Sequence, residues 1–148
     1  MAMKCAYKLQ HKRFIETDSE GDKICDTNLL GFFSSEENYK TAIAFYLKLP
    51  GFKDFPDDFV VEKVEADVDD YNENVGEFAS SVFYLSHEWY DDEYDYVSCL
   101  GYYSSMKNAE KSQALYQLEP EYIAHPEGFC IDEYKIDERE WTEGFFTY

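Results

Sequence analysis

Basic residues are scarce in this chain. Its 148 residues include 13 Lys and Arg against 32 Asp and Glu, a formal charge of −19. A surface of that sign repels phosphate backbones and anionic lipid, so direct nucleic-acid and membrane-surface binding are not expected. No apolar run approaches the roughly 18 residues of a membrane-spanning helix. The opening Met1-Ala2-Met3-Lys4-Cys5 also lacks the apolar stretch of a signal peptide. A cytoplasmic address is therefore expected, where Cys5, Cys25, Cys99 and Cys130 stay reduced. Their spacings of 20, 74 and 31 match no metal or redox motif. Neither a Gly-rich phosphate loop nor zinc-ligand spacing is present, and no Ser-His-Asp or Cys-His arrangement stands out. The segment Asp18-Ser19-Glu20-Gly21-Asp22 alternates oxygen ligands but lacks the later bidentate Glu of an EF-hand loop. Asp91, Asp92, Glu93 and Asp95 offer at most a weak cation site. No cofactor and no dedicated metal are expected.

Apolar and aromatic residues, by contrast, are plentiful. Hydrophobic residues make up 45% of the chain, with 14 Tyr, 12 Phe and 2 Trp. Disordered acidic chains are poor in aromatics, so this one is expected to fold around a substantial core.

The chain also repeats itself. Residues 29–67 laid on 99–137 at an offset of 70 give eleven identities in 39 positions without a gap. They include Leu30/Leu100, Gly31/Gly101, Ser34/Ser104, Ser35/Ser105, Asn38/Asn108, Tyr46/Tyr116, Phe59/Phe129 and Asp67/Asp137. Upstream the offset becomes 76, pairing Tyr7 with Phe83, Leu9 with Leu85 and His11 with His87. The six-residue difference lies between the first two elements, where a hairpin connection is expected, since insertions collect in surface loops.

Each copy reads strand, strand, helix, strand. Cys5, Tyr7, Leu9 and His11 alternate with more polar residues, as a half-buried strand requires, and Val82–His87 is the counterpart. The second strands, 28–33 and 98–103, each contain a Gly that suggests a bulge or a close backbone approach. Ser34 or Ser35 caps the following helix, with Glu37 completing a capping box from Ser34 and Glu36 in the first turn. Pro50-Gly51 stops it. In the second helix Gln113 replaces Ile43 and weakens the apolar stripe. In the third strands Phe59, Val61, Val64, Ala66 and Phe129, Ile131, Tyr134, Ile136 are spaced two, three, two. A bulge near Glu62-Lys63 and Asp132-Glu133 would return them to one face. A sheet covered on both faces is the competing account.

The expected fold is α+β, a tandem duplication of a β-β-α-β unit with pseudo-twofold symmetry and helices packed on antiparallel or mixed sheet. Residues 1–67 form the first unit, 68–81 an exposed acidic connector and 82–148 the second unit, the two sharing one compact body. Whether six strands make one sheet or two is left open.

Three stretches carry a resemblance: Leu100-Gly101-Tyr102-Tyr103-Ser104-Ser105, Gly128-Phe129-Cys130-Ile131-Asp132-Glu133-Tyr134 and Trp141-Thr142-Glu143-Gly144-Phe145. Over roughly 82–146 the chain resembles a family of small acidic bacterial proteins. That family is similar in turn to the immunity proteins that accompany polymorphic or contact-dependent toxins. The first copy departs from the pattern, with Asp58 in the place of Gly128 and Tyr71 in that of Trp141. The resemblance implies inhibition of a protein partner rather than catalysis.

The residues support binding independently. No Lys or Arg occurs between Val64 and Met106. Within that stretch Glu88, Trp89, Tyr90, Asp91, Asp92, Glu93, Tyr94 and Asp95 mix aromatic and acidic side chains at the expected second hairpin. Aromatics supply anchor area at interfaces, and carboxylates steer a basic partner. Asp69, Asp70 and Tyr71 form a second candidate patch. The expected function is an immunity-type inhibitor that binds and neutralises a basic toxin domain, a nuclease being one candidate target. The expected state is a monomer or weak dimer. A DNA mimic that blocks a defence nuclease is one alternative. The other is a small acid-base enzyme using His11 or His87, which would need those rings to line a cleft with carboxylates.

Overall fold

The computed structural model describes residues 3–17, 19–21 and 23–145. Asp18 and Asp22, the ends of the alternating-oxygen segment, lie outside the described residues. In chain order the elements are β1 (Cys5–Thr17), β2 (Lys23–Phe33), α1 (Glu36–Tyr46), β3 (Phe59–Glu65), β4 (Ser81–Tyr90), β5 (Asp95–Tyr103), α2 (Met106–Tyr116), the single turn α3 (Pro120–Ile123) and β6 (Phe129–Lys135). Short 3-10 turns at Phe52–Asp54 and Pro126–Gly128 precede β3 and β6. The strands make two three-stranded antiparallel sheets, β2-β1-β3 and β5-β4-β6, so the fold is α+β. Among the described residues no helix is long and apolar enough to cross a membrane.

Chain proximity divides the molecule into two compact units, neither of them continuous. One contains Val64–Lys135 together with the first residues up to Ala6, and the other Tyr7–Lys63 together with the residues from Ile136 on. These bounds do not fall at 67 and 81, since β3 is divided at Val64 and the chain changes unit again after β6. The 68–81 stretch is not simply an exposed linker. Phe78 is fully buried and bridges to Met3, and Asp67 is buried as well.

In the unit built on β1 and β2, Leu9, Leu30, Phe33, Ala42, Tyr46, Phe52 and Phe145 form the core, with Ile43 and Phe59 against it. In the other, Leu85, Tyr103, Ala109, Tyr116 and Tyr122 do so, with Phe83, Leu100, Phe129 and Ile131 alongside. Each fully buried Leu, Phe or Tyr of this kind contributes about 1.5–3 kcal/mol.

The glycine-bearing strands bulge beside their glycines. Leu9 faces Gly31 and Gln10 faces Leu29, leaving Leu30 as the extra residue. Leu85 faces Gly101 and Ser86 faces Cys99, leaving Leu100 extra. Gly31 has φ +150°, and a Cβ there would stand 2.7 Å from the Glu138 carbonyl oxygen. The Gly31→Ala variant is therefore expected to lose roughly 2–4 kcal/mol, since backbone strain and the close approach both oppose it. Urea unfolding checks this, and an unchanged midpoint would show that the strand relaxes freely.

No bulge occurs near Asp132-Glu133. The β4–β6 register runs unbroken from Ser81↔Lys135 to His87↔Phe129. Phe129 and Ile131 face the core while Tyr134 takes the other side. The irregular spacing instead fits a sheet covered on both faces at one end, because Val82 and Leu85, on opposite faces of β4, are both fully buried.

The helix caps also differ from the expected capping box. Ser35 and Ser105 are the N-caps, each accepting from the backbone N–H three residues on, at Asn38 and Asn108. The third helical position is thus an Asn, and Glu37 does not close the box. Ser34 and Ser104 stand one residue earlier and bind aspartates far away in sequence. Ser34 N–H and Oγ donate to Asp137 Oδ1 at 2.9 Å and Oδ2 at 2.7 Å. Ser104 N–H and Oγ donate to Asp67 Oδ1 at 2.8 Å and Oδ2 at 2.7 Å. Asp67 lies just past the end of β3 and Asp137 just past the end of β6.

Candidate surface for a protein partner

The β4–β5 hairpin is held in shape by its own side chains. Asp91 Oδ1 accepts the N–H groups of Glu93 and Tyr94, both at 2.8 Å, and Oδ2 accepts the Tyr96 hydroxyl at 3.2 Å. Those bonds, led by the Glu93 N–H, hold the Asp91 carboxyl below its usual range. Asp91 therefore shapes the turn rather than reaching outward. Trp89 stacks nearly parallel on Tyr96, 12° apart with centroids at 4.1 Å, and on His125, 9° apart at 4.1 Å. The indole is a packed support, not the exposed anchor its sequence position suggests.

Antiparallel pairing sorts the remaining residues by face. Glu88 is opposite Val97 and Tyr90 opposite Asp95, while Trp89 is opposite Tyr96. Cross-strand partners share a face, so Glu88, Tyr90, Asp95 and Val97 form one side of the tip. Tyr90 is 76% exposed, Val97 64% and Tyr94 49%, and Asp92 and Glu93 are exposed at the turn. The structure thus gathers Glu88, Tyr90, Asp95 and, unforeseen, Val97 on one face, with Asp92 and Glu93 at the adjoining turn, whereas Tyr94 stands with Tyr96, their ring centroids 6.3 Å apart, on the Trp89 side.

Asp69, Asp70 and Tyr71 belong instead with α2. Asp69 accepts the Tyr103 hydroxyl, Ser112 Oγ at 2.6 Å, and the N–H groups of Tyr71 at 2.8 Å and Asn72 at 2.9 Å. Its acceptor capacity is largely consumed. Asp70 Oδ2 accepts from the Tyr116 hydroxyl at 3.2 Å, and the Tyr71 ring lies edge-on to Tyr116 at 4.9 Å. At the corresponding positions the other copy has Phe33 for Tyr103, Ala42 for Ser112 and Arg139 for Asp69. Arg139 lies over the Phe45 ring at 4.5 Å. Three substitutions together replace a polar cluster with an apolar contact, which marks Asp69 as part of the packing. A cavity of about 470 Å³ opens beside this cluster, lined by Asp67, Tyr71, Asn72, Asn108 and Lys111 among others.

His11 and His87 are fully buried. Nε2 of His11 donates to the Phe55 carbonyl at 3.0 Å, and Nε2 of His87 to the His125 carbonyl at 2.8 Å. Phe52 and Phe59 ring the first, Tyr122 and Phe129 the second. Both are wall-fixing residues that anchor the loop before the third strand, and neither ring is open to a substrate. His125 stands where the first half of the sequence has Phe55, and its carbonyl serves His87 as that of Phe55 serves His11, while its ring stacks on Trp89. Among the described residues no group of three or more His, Cys, Asp or Glu is arranged to hold a metal ion.

No family model matches this chain, and neither does any curated protein or any solved structure.

Proposed function

We propose that this protein is an immunity-type inhibitor, not an enzyme, acting in the cytoplasm by covering a cognate basic toxin domain. The β4–β5 hairpin tip carries the reading. It presents Tyr90 and Val97 among Glu88, Asp92, Glu93 and Asp95, in a stretch devoid of Lys and Arg. It is also stiffened beforehand by the Trp89 stack and the Asp91 turn. A preformed surface loses less conformational freedom on association. Its charge accelerates encounter and is screened by salt, while the exposed apolar side chains govern dissociation.

Protein recognition is better supported than DNA mimicry, because Asp67, Asp69, Asp70 and Asp137 spend their carboxylates on internal hydrogen bonds. They do not contribute to a phosphate-like array. The enclosed His11 and His87 likewise favour a binding role over acid-base catalysis. The finer architecture belongs to the same proposal: a tandem duplication with pseudo-twofold symmetry. It is supported by the shared strand order, the Leu30 and Leu100 bulges and the matching Ser34–Asp137 and Ser104–Asp67 bonds.

The decisive experiment pairs the protein with the product of the neighbouring reading frame. In the Asp92→Lys, Glu93→Lys, Asp95→Lys triple variant, which spares Asp91, association at low salt is expected to slow by about tenfold or more. Its melting temperature should stay near that of the unaltered protein. An unaltered association rate would move the interface away from the hairpin.

A further inference from the structure

The two sheets finish their outer edges differently. Along β2, Asp137 N–H donates to the Phe32 carbonyl and Glu140 N–H to the Leu30 carbonyl, both at 2.8 Å, so the returning chain lies against that edge for several residues. Along β5, among the described residues, only Asp67 N–H does so, to the Tyr102 carbonyl at 2.8 Å. The next contact is through a side chain, the Tyr116 hydroxyl on the Leu100 carbonyl at 3.4 Å, and Asp70 N–H turns to that hydroxyl instead. From Cys99 back to Asp95, β5 is an edge strand against which no described segment pairs.

The direction of its free backbone groups follows from the turn. Asp91 N–H donates to the Tyr94 carbonyl at 3.0 Å, which makes that opposed couple a hydrogen-bonded one. Antiparallel ladders alternate, so Trp89–Tyr96 and His87–Ser98 bond inward. The N–H and C=O groups of Asp95, Val97 and Cys99 are then directed to the open edge. The side chains of these three residues are all exposed.

We infer that the partner adds a β-strand to this edge, and that the added strand is cationic. The inference rests on the acidic-surface reading above and specifies how that surface is engaged. Main-chain bonds to Asp95, Val97 and Cys99 supply register, as in other cases of strand addition. The Asp95 carboxylate stands at the edge, with Asp92 and Glu93 at the adjoining turn. A second copy of this chain would bring like charges together along the same edge, a recognised guard against self-pairing. A strand bearing Lys or Arg meets complementary charge instead.

The test uses a defined probe, an acetylated and amidated octapeptide of alternating Arg and Val. Its comparator has the same sequence with every backbone nitrogen methylated, so that it keeps its charge but has no N–H to donate along either edge. Strand addition predicts that the unmethylated peptide binds at least about tenfold more tightly. It also predicts that the Val97 and Cys99 amide protons become protected from exchange. Val97→Pro removes an outward N–H without costing a bond to β4, a change that edge strands accommodate. That variant is expected to melt like the unaltered protein and to lose the preference between the two peptides.

Equal affinity for both peptides, no new protection, and weakening only in the triple Lys variant would overturn strand addition while leaving the charge-based reading intact. Binding that is indifferent to the triple Lys change would overturn both. Failure of the unmethylated peptide to bind at millimolar concentration would overturn the inference as well.

Discussion

Asp67→Ala is expected to destabilise the protein by about 2–4 kcal/mol, and Asp137→Ala by about half as much. Both carboxylates accept the N–H and hydroxyl of a serine just ahead of a helix. Bonds to an ionised acceptor are worth roughly 1.5–3 kcal/mol each, and a stranded buried donor adds to the loss. Both aspartates also hold left-handed backbone, φ 63° and 68°, which costs alanine about 1–2 kcal/mol. The difference between them is burial: Asp67 is 8% exposed, whereas Asp137 is open to solvent. Water can replace the lost partner at Asp137 but much less readily at Asp67. For a chain of this size the Asp67 variant should melt on the order of 10 °C lower. Asp67→Asn keeps one acceptor oxygen and tolerates the left-handed conformation, so it is expected to recover part of the loss. A cycle with Ser104→Ala isolates the hydroxyl bond. Equal effects at the two aspartates would show that burial is not what sets their worth.

Above pH 10 the protein is expected to lose stability steeply. Burial pushes the hydroxyls of Tyr46, Tyr103 and Tyr116 well above the usual phenol range, and the Asp69 carboxylate reinforces this at the last two. All three side chains are essentially inaccessible to solvent. A raised phenol value means the native state keeps a proton that the unfolded chain releases. The contribution is thus complete below about pH 10 and is lost as pH climbs beyond it. Each phenol costs about 1.4 kcal/mol per pH unit in that range, so three together cost roughly 4. Against a typical stability of about 5–15 kcal/mol, unfolding should come within a few pH units. Of the 14 tyrosines, these three should ionise only as the near-ultraviolet circular dichroism collapses. Tyr46→Phe should reduce the alkaline slope by about a third, although it also removes the hydroxyl's bonds to the Leu30 and Glu140 carbonyls. Ionisation of every tyrosine at an ordinary phenol value with tertiary signal intact would refute the assignment.

Local structure was well encoded. Period-two alternation marked β1 and β4, a Gly marked the bulge in each second strand, and paired serines marked both helix starts. The errors share a cause, which is that they depend on contacts distant in sequence. The odd spacing of Phe129, Ile131 and Tyr134 looked like a local irregularity, yet β6 is regular and it is the second face of the sheet that is covered near Val82. Asp69 and Asp70 read from the sequence as a second binding patch on an acidic connector, and the structure adds that their partners Tyr103, Ser112 and Tyr116 lie more than thirty residues away. No periodicity reports such a pairing. The matching of Asp67 with Asp137 in the sequence alignment was a visible trace of their shared use, since each binds the N–H and hydroxyl of a serine just ahead of a helix. At the hairpin, composition located the acidic surface. It did not distinguish Trp89, locked in a stack, from Tyr90 and Val97, which lie on the opposite face.

The crossing of the two terminal segments bears on how the polypeptide matures. The unit built on β1, β2 and α1 takes Asp137, Glu140 and Phe145 from the far end of the chain. At ordinary translation rates of about 5–20 residues per second, that part of the nascent chain waits several seconds for its closing piece. During the interval the aromatic side chains around Phe52 lack one wall, and the outer edge of β2 has nothing beside it. Ribosome-stalled chains ending before Asp137 should accordingly recruit holdase chaperones, and release should follow once Phe145 has cleared the exit tunnel.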